Sequence, residues 1–218
     1  MDAPTERIGY ALKNFFKEAY FLSESSEYLL KENSAQGQSE LTLTFTTDNV
    51  RNLCIEDVDG KKQRHSLCCG FTNNSKEAAL NKAVDHAIFK MENSGEWTLH
   101  LIEMKTSVGA KTWAVVKAKQ RASYLDMLAV AVFLGIKVKE VFAYTTYGLD
   151  KMTSEFENAN IAVKKPILGQ KIINLLKDEW QAGKLYLDFG DGPLEIKHKR
   201  VKMARNENES VLKGKLEI

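Results

Sequence analysis

The feature that most constrains this chain is the stretch Trp97-Thr-Leu-His-Leu-Ile-Glu103-Met-Lys105. Its length and apolar character predict a buried β-strand, which ends in a carboxylate and an ammonium group. Successive side chains of a strand point to opposite faces of the sheet, so we expect Glu103 and Lys105 on the same face. Charges at the end of a buried strand are unfavourable unless they pair or bind something. The stretch therefore predicts a central strand with a candidate site at its end.

The segments on either side of this strand predict the core of a mixed sheet. Val84–Met91 has the alternation of a strand, although the alanines before it favour a helix, and the break at 92–95 indicates a hairpin. A long helix is predicted over Ala110–Leu134, with Gly135 as its end, and a strand over Lys137–Tyr147 next to the one that carries the charges. Strands joined by hairpins, with a helix crossing back, indicate a mixed sheet flanked by helices.

The remaining elements are predicted from local periodicity and turn residues. They are a helix over Thr5–Lys31, strands over Leu41–Phe45 and Val50–Val58, a hairpin partner over Arg64–Phe71, a helical turn within Asn73–Asn81, helices over Leu149–Asn160 and Leu168–Gln181, and a hairpin of Lys184–Phe189 with Leu194–Met203. We expect an α/β (α+β) fold: a central mixed β-sheet flanked by helices, with C-terminal helix and β-hairpin additions. One domain is expected, with a core over 1–147, accessory elements over 148–205 and a polar tail over 206–218.

The composition leaves the class of partner open. The formal net charge is +2 at pH 7, so any nucleic-acid binding would have to use local basic patches. Three cysteines without C-x-x-C spacing argue against a disulfide scaffold and favour a reducing, cytoplasmic setting. His65-x-x-Cys68 with Cys54 could be combined into a metal site, but zinc sites usually show paired ligands, which favours a structural role. We expect no membrane span, because the longest apolar run, Leu125–Ile136, is too short.

Asp85 lies one hairpin away from Glu103, so pairing of the two strands would bring two carboxylates and Lys105 to one edge of the sheet. Mg²⁺ binds through one or two carboxylates, keeps several waters and completes its shell with phosphate oxygens. Such an ion polarises a phosphoryl group and lowers the pKa of bound water, and a neighbouring lysine can orient or deprotonate that water or stabilise developing charge. These three residues are therefore sufficient for metal-dependent phosphodiester hydrolysis.

This pattern resembles the PD-(D/E)XK nuclease superfamily. Val84-Asp85 matches the first half of its motif and Glu103-Met-Lys105 the second, on consecutive strands followed by a helix and another strand. The resemblance implies a restriction-endonuclease-like fold over roughly 5–147, with Asp85 and Glu103 binding Mg²⁺ or Mn²⁺ and Lys105 activating water. The proline that usually precedes the aspartate is replaced by Val84, a common departure.

The resemblance also implies a substrate and a setting. The chain would be an (endo)deoxyribonuclease, with DNA rather than RNA as its substrate, and a homodimer would suit cleavage of both strands. Restriction, phage defence, repair and mobile-element biology all use such domains. In several branches a glutamate of the first helix joins the metal shell, and the candidates here are Glu18, Glu24 and Glu27, with Glu27 preferred.

Gln120-Arg-Ala-Ser-Tyr124, on the long helix, is similar to the Q-x-x-x-Y element of the RecB-like and lambda-exonuclease-like branches. Residues i and i+4 share a helix face, so both side chains could reach the cleft. Gln120 is therefore a candidate catalytic residue and Tyr124 a candidate nucleic-acid contact. The alternative is that Tyr124 packs in the core while Gln120 faces water.

Two groups of basic residues could contact phosphates. Lys197, Lys199 and Arg200 lie in the C-terminal hairpin, and clustered lysines and arginines give sequence-independent affinity for a nucleic-acid backbone. Glu195 with Lys197 also forms a second E-x-K, which we interpret as part of a solvated arm because no buried helix follows it. The second group is a basic face on the long helix, or simply its solvated surface: Lys111, Lys117, Lys119 and Arg121.

Two hypotheses about function follow. The first is a Mg²⁺-dependent deoxyribonuclease that uses the aspartate, the glutamate and the lysine in the roles given above. The second is a non-catalytic nucleic-acid-binding or protein-interaction module on the same fold, with the hairpin Glu195–Arg205 as its contact. Because all three chemical positions are present, the sequence favours the enzyme. His86 and His100 are expected to be structural, since strand alternation directs them away from the carboxylates.

Overall fold

The computed structural model describes residues 3–16, 18, 20–34, 37–46, 52–55, 83–152, 168–190, 192–205 and 210–218. The helices in these ranges are α1 (Ala3–Phe15), α2 (Ala110–Leu134) and α3 (Leu168–Ala182). The strands are β1 (Tyr20–Ser23), β2 (Glu27–Ser34), β3 (Gly37–Thr44), β4 (Asn52–Ile55), β5 (His86–Met91), β6 (Trp97–Met104), β7 (Ser107–Val108), β8 (Val138–Tyr147), β9 (Leu149–Asp150), β10 (Lys184–Asp188), β11 (Pro193–Lys202), β12 (Ala204–Arg205) and β13 (Leu212–Glu217). None of the described helices has the length and apolar character needed to cross a membrane.

Seven of the described strands form the larger sheet, in the order β1-β4-β5-β6-β8-β11-β10. Neighbours from β1 to β6 are antiparallel, β6, β8 and β11 are parallel, and β10 is antiparallel to β11. The pair β6–β8 is parallel because α2 connects them and carries the chain back across the sheet. The sheet is therefore mixed, as predicted, with β6 at its centre.

The ambiguous segment before β6 is a strand, which confirms the prediction for 84–91 from His86 onward. β5 and β6 form a hairpin in which His86 pairs with Ile102 and Met91 with Trp97. Its turn is closed by the Glu92 amide, which donates to the Glu96 carbonyl at 2.8 Å. The predicted C-terminal hairpin is confirmed as β10 and β11.

The long helix α2 covers one face of this sheet. Leu99 and Leu101 of β6 pack in a cluster with Met127 and Val130 of α2. A second cluster joins the first turns of α2 to α3 and to the β10–β11 hairpin. The helix ends as predicted at Gly135, whose φ of 72° is the left-handed conformation that glycine adopts without strain.

A second, four-stranded sheet covers the opposite face, in the order β12-β13-β3-β2. Between the two sheets lies a cluster that includes Leu41 and Leu43 of β3 together with Ile88 and Ile102 of the large sheet. The C-terminal segment, predicted as a polar tail over 206–218, contributes β13, which pairs parallel with β3. Leu212, Leu216 and Ile218 are buried because they pack in the cluster between the two sheets.

The prediction of a helix over Thr5–Lys31 is wrong beyond Phe15. The chain after α1 forms β1 and β2, which pair with β4 and β3. Tyr20 and Leu30, which fit helical spacing, are buried as strand residues. Pairing with distant strands decided between two periodicities that a short apolar segment satisfies about equally.

Other predictions are only partly covered by the described residues. The predicted helix over 149–160 begins instead with β9, which pairs with β7, and residues 153–160 lie outside the described part. The strand predicted over 50–58 is confirmed at β4. The predictions over 64–71 and 73–81, and the histidine and cysteine at 65 and 68, lie outside the described residues.

Candidate active site

The charged end of β6 lies on the face that α2 covers. Glu103 follows Leu99 and Leu101 in the alternation of the strand and is 0% exposed. Lys105 forms an ion pair with Glu103, and its ammonium donates to the Met104 carbonyl at 3.0 Å. The expectation that the two charges lie on the same side is therefore confirmed.

Asp85 lies immediately before β5, beside the end of β6. Its Oδ2 accepts a hydrogen bond from the Met104 amide at 2.6 Å, which ties the start of β5 to the end of β6. The preceding Val84 amide donates to the Ser123 hydroxyl of α2 at 2.9 Å. Two hydrogen bonds to neighbouring elements thus fix the backbone and the carboxylate, and the predicted approach of Asp85 to Glu103 is observed.

A fourth charged side chain, Lys119 of α2, lies between the two carboxylates. Its Nζ is 2.9 Å from Glu103 Oε1 and 3.3 Å from Asp85 Oδ1. Sequence reasoning placed Lys119 only on a basic helix face and did not connect it to the site. The signal was its spacing: Val116 and Ser123, one turn before and after it, are both buried against the sheet.

Burial dominates the electrostatics of Glu103. Loss of solvent, followed by the nearby charge of Asp85, raises the pKa of Glu103 to about 7, although Lys105 and Lys119 act in the opposite direction. Burial therefore favours the protonated form of Glu103 at higher pH than for an ordinary glutamate. A metal cation bound beside it would favour the ionised form.

The donor set fits a magnesium-like ion held by few protein ligands. The described residues contain no group of three or more histidine, cysteine, aspartate or glutamate side chains that could hold a metal. Mg²⁺ does not require one, because it binds through one or two carboxylates and keeps its waters. One cation, the Lys119 ammonium, is within 3.3 Å of both carboxylates, so Asp85 and Glu103 converge closely enough to share an ion.

The Q-x-x-x-Y pair is less involved with the charges. Gln120 is fully buried, and its Nε2 donates to the Tyr144 carbonyl at 3.3 Å, so it connects α2 to the sheet. Its Oε1 is buried without a hydrogen-bond partner in the described part of the chain. Tyr124 is half-buried, with its ring 5.6 Å from that of Phe189. Tyr124 thus packs in the core, and Gln120 faces the sheet and not water.

His100 lies on the opposite face of the sheet from Glu103, as alternation predicts. Its ring nitrogens contact the Tyr144 hydroxyl and the Thr98 hydroxyl, each at 2.9 Å. Burial, followed by the charge of Lys90, lowers the pKa of His100 to about 3. His86 is on this face too, because it lies two residues before Ile88 in β5. Ile88 packs against the second sheet.

A third buried histidine, His198, was not expected from the sequence, and it lies on the α2 side of the sheet. Thr145 of β8 is paired with Glu103, and its hydroxyl lies 3.0 Å from His198 Nε2 of β11. The His198 ring is 4.8 Å from that of Trp113, and burial, followed by Arg200, lowers its pKa to about 3. In the sequence His198 stands within a basic run. The one signal for its position was its spacing of two residues from Ile196, which is buried and lies on the same face of the strand.

The predicted phosphate contacts are on different faces. Lys197 and Lys199 lie three residues and one residue before Arg200 in β11, so their side chains project to the face opposite that of Arg200 and Glu103. On that face Lys197 pairs with Glu140. Arg200 lies on the α2 side, with its guanidinium 5.5 Å from the Trp180 ring centroid. Lys111 is exposed in the first turn of α2.

The first-helix glutamate is not found where it was expected. Glu18, Glu24 and Glu27 all follow the end of α1 and are exposed. Glu27 begins β2, the edge strand of the second sheet, and that sheet covers the face opposite Glu103. The preference for Glu27 is therefore wrong as a residue of the first helix.

Comparison with protein-family models, with curated proteins and with solved structures gave no significant match. The function is therefore inferred from the geometry of the site.

Proposed function

We propose that this chain is a Mg²⁺- or Mn²⁺-dependent nuclease that hydrolyses phosphodiester bonds of DNA. The observation that carries the proposal is the convergence of two buried carboxylates, one just before β5 and one at the end of β6, on one cation position, with contact distances of 2.9 and 3.3 Å. Burying two acidic groups this close is unfavourable unless cations compensate them. A site that must hold positive charge is what metal-assisted phosphate chemistry requires.

The roles follow from position. Asp85 and Glu103 would hold the metal, and the backbone hydrogen bond to Asp85 orients its carboxylate. When bound, the metal supplies polarisation of the phosphoryl group and a lowered pKa for bound water. Lys105, whose side chain is 21% exposed next to the fully buried Glu103, is the group placed to orient or deprotonate water at the substrate.

The strand order supports a restriction-endonuclease-like core. β4, β5 and β6 are consecutive antiparallel neighbours, α2 crosses over, and β8 returns parallel to β6. In this arrangement the two halves of the motif lie at adjacent ends of β5 and β6. Because one fold hosts many functions, this supports the proposal only together with the site.

Further parts of the proposal rest on the sequence alone. DNA is proposed over RNA, with a homodimer where both strands are cut, by the resemblance to PD-(D/E)XK nucleases. A cytoplasmic setting is proposed from the three cysteines without paired spacing.

The test is cleavage of supercoiled plasmid DNA by the purified protein. We expect nicking with Mg²⁺ or Mn²⁺, none with EDTA, and a loss of at least about 100-fold in Asp85→Ala, Glu103→Ala and Lys105→Ala. Glu195→Ala removes the glutamate of the second E-x-K and should cleave like the wild type. Circular dichroism would verify that each variant is folded. Full activity in folded Glu103→Ala or Lys105→Ala would exclude the proposed roles.

The non-catalytic alternative gives a different pattern. It predicts salt-sensitive DNA binding without turnover, lost when Lys197, Lys199 and Arg200 are neutralised and unaffected by Asp85→Ala. In the structure part of this charge is already compensated, because Lys197 forms an ion pair with Glu140. Binding measured at two salt concentrations beside the cleavage assay separates the two functions.

A further inference from the structure

Lys119 lies where the proposed metal would have to bind. Its ammonium contacts both carboxylates, at 2.9 Å and 3.2 Å from the two oxygens of Glu103 and at 3.3 Å from Asp85. The contacts of Lys105 are to Glu103 and to the Met104 carbonyl. The two lysines are therefore not equivalent: Lys119 bridges the acidic pair, and Lys105 stands beside it.

A divalent ion and the Lys119 ammonium cannot both occupy this position. A metal held by Asp85 and Glu103 needs the oxygen lone pairs that the ammonium now engages. Two cations this close in a buried setting repel each other strongly, because solvent screening is weak there. The ammonium is carried on a flexible four-carbon stem, so it can move away without rearrangement of α2.

We propose that Lys119 is an internal counter-ion, which occupies the Asp85–Glu103 pair in the metal-free protein and is displaced when Mg²⁺ or Mn²⁺ binds. The proposal rests on the proposed function, because it takes these carboxylates as the metal ligands. After displacement the ammonium remains tethered to α2 close to the site. It is then available to an oxygen of the substrate phosphate, so metal binding prepares the site for the anion.

The first test is Mn²⁺ binding by isothermal titration calorimetry to metal-free protein at constant pH. Removing the competing cation in Lys119→Met should tighten Mn²⁺ binding by at least about tenfold, while DNA cleavage becomes slower. Lys117→Met is the matched control. Lys117 lies on the same helix but pairs with Glu179 at 2.7 Å and not with the carboxylates, so its loss should leave Mn²⁺ affinity unchanged.

A second measurement uses the wild-type chain and does not depend on the variant folding. Lys119 is 15% exposed in its side chain and ion-paired, so an amine-acylating reagent should label it slowly in EDTA. Saturating Mg²⁺ should increase its labelling at least about threefold, read by mass spectrometry of peptides. Labelling of Lys117 should not change.

Each outcome has a consequence. Tighter Mn²⁺ binding in Lys119→Met together with metal-induced labelling of Lys119 supports displacement. Unchanged or weaker Mn²⁺ binding in folded Lys119→Met overturns the displacement proposal, even if the wild type is an active nuclease. Labelling of Lys119 that does not change on addition of Mg²⁺ overturns it as well. If neither protein binds Mn²⁺ and no DNA is cleaved, the proposed function fails as well, which distinguishes the two failures.

Discussion

Replacement of Glu103 by glutamine gives a direct test of which force dominates the site. Burial and the neighbouring charge of Asp85 raise the pKa of Glu103, whereas Lys105 and Lys119 lower it. Glutamine has nearly the same shape but does not titrate. The pH dependence of the difference in stability between the wild type and Glu103→Gln, measured without metal, therefore reports mainly on this one carboxyl group.

The sign follows from proton binding. The pKa of Glu103 is about 7 in the folded chain and 4.5 for an ordinary glutamate, so the folded chain binds more protons between these values. The free energy of unfolding of the wild type should then fall, relative to Glu103→Gln, as pH rises from about 4.5 to about 7, and be constant above. At about 1.4 kcal/mol per pH unit the total decrease is roughly 3 kcal/mol.

The assay is urea unfolding of both proteins in EDTA, followed by tryptophan fluorescence at several pH values from 4 to 8.5. A flat difference, or one that rises with pH, would refute the reasoning, because it would mean that the lysines outweigh burial. Adding Mg²⁺ at pH 8 to about 100 times its Kd should then stabilise the wild type by about 2.7 kcal/mol and leave Glu103→Gln nearly unchanged.

Three further predictions concern the surrounding fold. The rings of His100 and His198, whose pKa values are lowered to about 3, should show constant NMR shifts from pH 5 to 8, and a titration near 6.5 would contradict their burial. Gly148→Ala should lower the free energy of unfolding by about 1–3 kcal/mol, measured by urea unfolding, because the alanine Cβ would lie 2.8 Å from both Leu212 methyl groups. Leu212→Ala should reduce this loss in a double-mutant cycle. Gly135→Ala, at a φ of 72°, should cost about 1 kcal/mol in the same assay, and no loss would argue against the helix end described here.

Local sequence patterns were sufficient to predict features that depend on a single strand or a single helix. The shared side of Glu103 and Lys105 follows from strand alternation, and the bounds of Ala110–Leu134 follow from periodicity and a glycine stop. These features depend on neighbours in the chain, so they can be predicted without knowing which distant segment packs against them. The roles of Gln120 in catalysis and of Lys197 in DNA contact stay predictions.

Other features required knowledge of distant partners. The segment after Phe15 fits a helix on its own and becomes β1 and β2 only because β4 and β3 are available for pairing. The C-terminal strand reads as a polar tail, since just one side of it is buried between the sheets.

By itself, then, the sequence determined the charged end of the central strand, the long helix after it and the candidate carboxylates. Only the tertiary structure decided that Lys119 completes the site. Its contact with Asp85 and Glu103 depends on the rotation of α2 about its own axis relative to the sheet. That rotation is fixed by packing around Leu101 and Met127, residues far apart in the chain. A periodic pattern can show which helix face is buried, but the identity of the groups that meet there is a property of the packed fold.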